Sequence, residues 1–289
     1  MNPDHHRALR DAGLTDRPAR VLDAPGGGTA LLVDVADDEL LTVWARAREA
    51  VGRTGRWPLL CNRDDEDLFS RFYFEEGAGG ADSDPAAILA RAETIDVDAR
   101  LTELRSRFPS ENVDPVDYER SLTLAAYGEA PSAQEIRAAV GGEPARISVE
   151  RYLFDWERAR EPLGEPDPGV QDWFGSEHLV CLALLPTAVP WESYAYVHAL
   201  DAAGWYGQDL LVAAARRWHE RFGAEPVGAF GVMTWLKLAR PPADPETAWR
   251  LAIEHATLAE NTLSTPGIPV RAHARQLPAL DRWVLFSRP

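Results

Sequence analysis

At 289 residues, with 45% apolar content and ten tryptophans, the chain can fill one large hydrophobic core or two modest ones without cross-links. Its only cysteines, Cys61 and Cys181, are far apart in sequence and outside any CxxC, which excludes a disulfide framework and a thiolate zinc cage and reads as buried free thiols. The formal charge of −16 repels phosphate backbones and anionic lipid, which excludes nucleic acid and membrane as partners and favours a basic protein.

The front of the chain reads as strand, turn, strand: "ARVLDA" from Ala19, then "PGGG", then "TALLVDV", with Gly26 to Gly28 supplying positive φ values. A helix over 37–51 follows, acidic in its first turn and basic near its end, with Leu40, Trp44, Ala47 and Val51 forming a core stripe. "RWPLLC" (56–61) predicts a buried strand, and 62–98 is acidic and irregular, with the aromatic run "FSRFYF". Asp84 and Pro85 mark a helix start within a helical 85–107 region. Further helices are expected at 115–127 and after Ser132, where Glu135 completes a capping box and a glycine pair closes the helix.

Three prolines in "EPLGEPDPG" make 161–175 the linker between an acidic N-terminal region, 1–160, and a C-terminal domain, 176–289. In the latter, "LVCLALLP" (179–186) and "SYAYVHAL" (193–200) predict strands. A helix over 209–222, strands near 225–230 and 233–239, a helix over 244–261 and a closing strand "RWVLF" complete it. Strands and helices mix without a βαβ repeat, so the fold expected is α+β, a mixed, largely antiparallel sheet with packed helices, divisible into two subdomains.

Residues 1–200 carry 37 acids against 20 bases, and residues 201–289 carry 9 against 10, so the acidity belongs to the front. No run approaches the ~20 apolar residues that span a bilayer, and "MNPDHHRALRDAGL" lacks the apolar core of a signal peptide, which points to the cytoplasm. Lys237 is the only lysine among thirty basic residues, an arginine bias that suits a GC-rich bacterial genome.

The same scarcity of lysine excludes a Walker P-loop, "PGGGTAL" is not GxGxxG, and no GxSxG elbow occurs. His219 opens "HERFG", but Gly223 stands where a zinc protease needs its second histidine. On the 244–261 helix, His255 falls on the apolar face, as a core histidine with one hydrogen bond, while Glu254 is expected to face water. The acids Asp64 to Asp67 could hold a divalent cation but lack the glycine and terminal glutamate of an EF-hand, so a solvated loop is expected. Trp205, beside glycines, is the tryptophan best suited to an exposed binding surface. No cofactor or metal is implied.

The stretches "GWYG" (204–207), "RRWHERFGAEPVG" (216–228), "RPP" (240–242), "LAIEH" (251–255) and the terminal 283–286 resemble, in order and spacing, the domain of unknown function 4253 family over residues 179–289. "TGRWPLL" (54–60) resembles the family's front more weakly. The resemblance brings no activity with it.

Two functional readings follow. The first is a non-catalytic interaction protein whose acidic front holds a basic partner, for example an immunity-type inhibitor of a toxin. The second is an enzyme or small-ligand binder with a pocket between the C-terminal sheet and helices, drawing on Asp209, His219, Glu254 or His255. With no complete catalytic constellation in the sequence, the first is preferred and the reading leans away from an enzyme.

Overall fold

The computed structural model describes residues 1–62, 69, 84–107, 114–142, 145–164, 180–200, 202 and 206–288. Seven strands form one mixed sheet: β1 (Ala19–Asp23), β2 (Thr29–Asp34), β3 (Trp57–Asn62), β4 (Val180–Leu185), β5 (Glu225–Ala229), β6 (Met233–Lys237) and β7 (Arg282–Phe286). Their order is β1-β2-β4-β3-β5-β6-β7, antiparallel throughout except where β3 meets β5. Helices α1 (Pro3–Asp11), α2 (Leu40–Glu49), α3 (Val51–Thr54), α4 (Pro85–Ala92) and α5 (Val97–Arg107) belong to the front of the chain. α6 (Pro115–Tyr127), α7 (Ala133–Val140) and α8 (Arg146–Glu157) precede β4; α9 (Ser193–Tyr196), α10 (Gln208–Phe222), α11 (Pro245–Leu258), α12 (Asn261–Ser264) and α13 (Val270–Gln276) follow it. The fold is α+β, and among the described residues no helix is long and apolar enough to cross a membrane.

The described chain forms two compact units, each drawing on both ends of the sequence. One comprises Met1–Arg100, Trp173–Arg240 and Asp281–Pro289 and contains the sheet; the other comprises Leu101–Asp172 and Pro241–Leu280 and is helical.

In the sheet unit, the unbroken apolar run of β4 is explained by its position between β2 and β3, where both faces are covered. One face packs Leu31, Val33, Leu60, Leu182 and Leu184 against Leu9 of α1 and Val43, Trp44 and Ala47 of α2. Trp44 and Trp57 satisfy their buried indole N–H groups on the Pro58 and Pro226 carbonyls, each at 3.0 Å. α10 buries Leu211, Ala215, Trp218 and Phe222, the stripe expected from its spacing, and Trp218 and Phe222 meet Trp283 of β7 edge-on. Gly223 ends α10 at φ 61°, where a Cβ would lie 2.6 Å from the Ala239 Cβ, so this stop admits only glycine.

Two local expectations are corrected. In the β1–β2 turn Gly26 and Gly27 adopt positive φ, whereas Gly28 does not, at −85°. The stretch 193–200 is not a strand: α9 is a single helical turn, and only Ala199 makes an isolated bridge, to Gly231. Its β-propensity is overridden by tertiary contacts, since the Gln208 side chain takes up the Tyr194 and Val197 carbonyls that a strand would offer to a neighbour.

The helical unit is organised around charge. Arg271 of α13, with a side chain 2% exposed, donates through Nε to Glu157 of α8 at 2.9 Å and through Nη2 to the Glu119 carbonyl of α6 at 3.0 Å. Its Nη1 also pairs with the Glu119 carboxylate, and its backbone N–H donates to Glu150 of α8 at 3.0 Å. Arg146 reaches Glu119 at 2.7 Å, Arg275 pairs with Glu157, and the Thr123 hydroxyl donates to Glu157 at 2.7 Å. Three buried glutamates and three arginines thus link α6, α8 and α13. α8 escapes sequence reading for this reason: its core face is Val149, Glu150, Leu153, Phe154 and Glu157, so two carboxylates interrupt the apolar period. α13 is hidden likewise, burying Arg271 and His273.

Removing the central cation leaves three carboxylates buried with too few donors. Arg271→Met is expected to destabilise the helical unit by about 3–5 kcal/mol, against roughly 0.5 kcal/mol or less for Arg216→Ala in the exposed Arg216–Glu220 pair. Urea unfolding followed by circular dichroism measures both, and equal effects would show that the cluster is not what holds the unit together.

Candidate functional site

Convergent titratable groups with displaced pKa values are the physical mark of a site, and the helical unit holds two sets. Glu150 is pushed up from 4.5 to about 7, first by burial and then by the neighbouring Glu119 carboxylate, with Arg271 opposing. His255 of α11 and His273 of α13 face each other, Nδ1 to Nε2 at 3.0 Å. Burial lowers both, His273 to about 4 and His255 well below 6.5, its neighbour adding to the effect. Both rings are therefore neutral at pH 7, one N–H donating to the other's lone pair. The glutamate oxygens are taken up by arginine, threonine and backbone donors inside the unit, so this chemistry is directed at the protein itself.

The residues singled out in the sequence fall in different places. Trp205 lies outside the described residues, as do Asp64 to Asp67. Asp209 stands in the first turn of α10, where the helix dipole favours an acid, and accepts from Arg91 of α4 at 3.1 Å. His219 is half-buried in the last turn of the same helix. Its Nδ1–H donates to the Ala224 carbonyl at 3.0 Å, and its ring lies 5.0 Å from that of Trp191. His255 is fully buried and hydrogen-bonded to His273, as expected of a core histidine. Glu254 departs from expectation: it is 5% exposed rather than in water. α11 packs against α13 and buries Ala248, Trp249, Leu251, Ala252, Thr257 and Leu258 as well, so its covered face is wider than one stripe. Asp209 and His219 belong to the sheet unit, Glu254 and His255 to the helical unit.

A third constellation, at one end of the sheet, was not visible in the sequence. Cys61 and Cys181 are direct cross-strand partners in β3 and β4, with sulfurs 3.5 Å apart. The next pair in the ladder is Asn62 with Val180. These two residues adjoin the segments 63–83, with seven acids and two bases, and 165–179, with four acids and no base. The described residues hold 32 acids and 28 bases; the others hold 14 acids and two bases, or −12 of the −16. The excess of acid at the front of the chain is shared by the two units, since 27 acids and 19 bases fall in the sheet unit and 19 and 11 in the helical one. Among the described residues no group of three or more His, Cys, Asp or Glu side chains is disposed to hold a metal ion.

Residues 181–286 match the family described as Domain of unknown function (DUF4253), a stretch running from β4 to β7 and taking in α9 to α13. The match contains Cys181, Asp209, His219, Glu254, His255, Arg271 and His273, whereas Cys61 and the three glutamates of the buried cluster lie outside it. No curated protein and no solved structure matches the chain.

The two titrating sets have opposite effects on stability. The folded protein keeps a proton on Glu150 between pH 4.5 and about 7 that the unfolded chain has released, so this contribution is complete below 4.5 and lost as pH rises through about 7. The histidines bind protons less readily when folded, so theirs is present above 6.5 and lost as pH falls towards about 4. Glu150→Gln is expected to gain on the native protein by about 1–3 kcal/mol between about pH 5 and about pH 8 in urea unfolding. A difference that does not change with pH would refute the assignment.

Proposed function

We propose that the protein is a non-catalytic, cytoplasmic interaction module that holds a basic partner protein, in the manner of an immunity-type inhibitor. The observation that carries this reading is where the unbalanced charge falls. Acids and bases nearly cancel over the described residues, while 63–83 and 165–179 together hold eleven acids and two bases. Those segments adjoin Asn62 and Val180, which are paired in the sheet. A concentrated field of one sign speeds association with an opposite partner and disfavours polyanions.

The state of the groups capable of chemistry supports binding over catalysis. Asp209 is engaged by Arg91, His219 by the Ala224 carbonyl, His255 by His273, and the buried glutamates by arginines. Each is used to fix the fold.

The test is native mass spectrometry of the protein captured from its host lysate at low salt, repeated after a high-salt wash. The expected result is a stoichiometric basic protein released by salt, because charge attraction between exposed groups decays within about 10 Å at 0.1 M salt. The triple change Asp64→Asn, Asp65→Asn and Asp67→Asn should weaken that complex by about tenfold or more. An acidic or salt-resistant partner would refute the charge argument, and a bound small molecule would support a ligand-binding protein instead.

A further inference from the structure

We propose that Cys61 and Cys181 are a covalent modification site: a cross-strand dithiol that exchanges with low-molecular-weight disulfides of the glutathione class to form a reversible intramolecular disulfide. The inference stands apart from the partner-binding reading, since it rests on the register of two strands.

The cysteines are 120 residues apart in sequence yet directly opposed in the β3–β4 ladder, with sulfurs at 3.5 Å. Directly opposed residues of an antiparallel pair have Cα atoms about 4.5 or 5.5 Å apart, within the roughly 4.4–6.8 Å that a disulfide spans. Closing the remaining sulfur gap therefore requires side-chain rotation without a change of register. The ladder beneath the pair is regular from Trp57–Leu185 onwards, so this geometry is held by the sheet. Both residues are buried, at 1% and 0% exposure, and the Cys61 thiol is pushed up by its hydrogen bond to Cys181 and by burial. Thiolate is accordingly scarce, and exchange is slow. The pair lies one step from Asn62–Val180, the last pair of the ladder among the described residues, and local opening of the β3–β4 pairing is the route proposed to admit a reagent.

The chemistry balances without a further oxidant. One cysteine thiolate attacks oxidised glutathione, giving a mixed disulfide and one glutathione thiolate. The second cysteine thiolate then attacks the protein sulfur of the mixed disulfide and expels the second glutathione thiolate. The two protons lost by the cysteines pass to the two glutathiones, so one disulfide is reduced as one is formed.

Reduced full-length protein, equilibrated with excess oxidised glutathione until its mass is constant, is then unfolded in iodoacetamide and weighed. The expected product has lost two hydrogens, carries neither alkyl group nor glutathione, and regains both alkylation sites after dithiothreitol. Its Tm should rise by roughly 5 °C, because the bond constrains the unfolded chain, and Cys61→Ala should show neither change. Two alkylated cysteines at equilibrium, or a product that retains glutathione, would overturn the proposal.

Discussion

The helical unit depends on one buried cation. Arg271 brings a guanidinium into an interior where transfer from water costs several kcal/mol, and its position is tolerable only because Glu119, Glu150 and Glu157 surround it. The constraint is mutual, since three carboxylates in one core require the arginines as much as the arginines require them. It also joins distant parts of the chain: α6 and α8 come from 115–157, and α13 from 270–276. Apolar packing alone permits helices to slide or rotate, whereas a guanidinium with donors aimed at three side chains fixes one arrangement. The raised affinity of Glu150 for its proton is the residue of this bargain, a carboxylate whose burial is not wholly offset.

The sheet unit follows a different rule. Strand β4 is apolar on both faces and sits between β2 and β3, so strands from far apart in sequence converge on it. That convergence produces the features with functional meaning here. Cys61 meets Cys181, and Asn62 pairs with Val180, the two residues that adjoin the acidic sequences 63–83 and 165–179. The body of the protein is close to charge-balanced, and arginine–carboxylate pairs recur through both units.

Much of the architecture was legible from local signals. Asp84 and Asp244, each followed by proline at the first helical position, cap the helices that they announce, and Ser132 does so with a complete capping box. Two of the three hairpin glycines, the α10 stripe and the apolar runs of β3 and β4 also read correctly, because each depends on a few neighbouring residues. The candidate site was less legible. His255 was recognisable as a core histidine from its helical face, yet its partner His273 lies on α13, which has no apolar period to reveal it.

The sequence by itself therefore determined the α+β class, the largely antiparallel sheet, the bounds of α6, α7 and α10 and the resemblance of the C-terminal part, since capping, turn chemistry and periodicity act over a few residues. Only the tertiary structure decided which buried charges neutralise one another, that 193–196 is helical, and that two cysteines 120 positions apart are cross-strand neighbours. The physical reason is range. A core face made of Glu, Arg and His looks like surface in one dimension, and becomes an interior only when its opposite charges arrive from elsewhere in the chain.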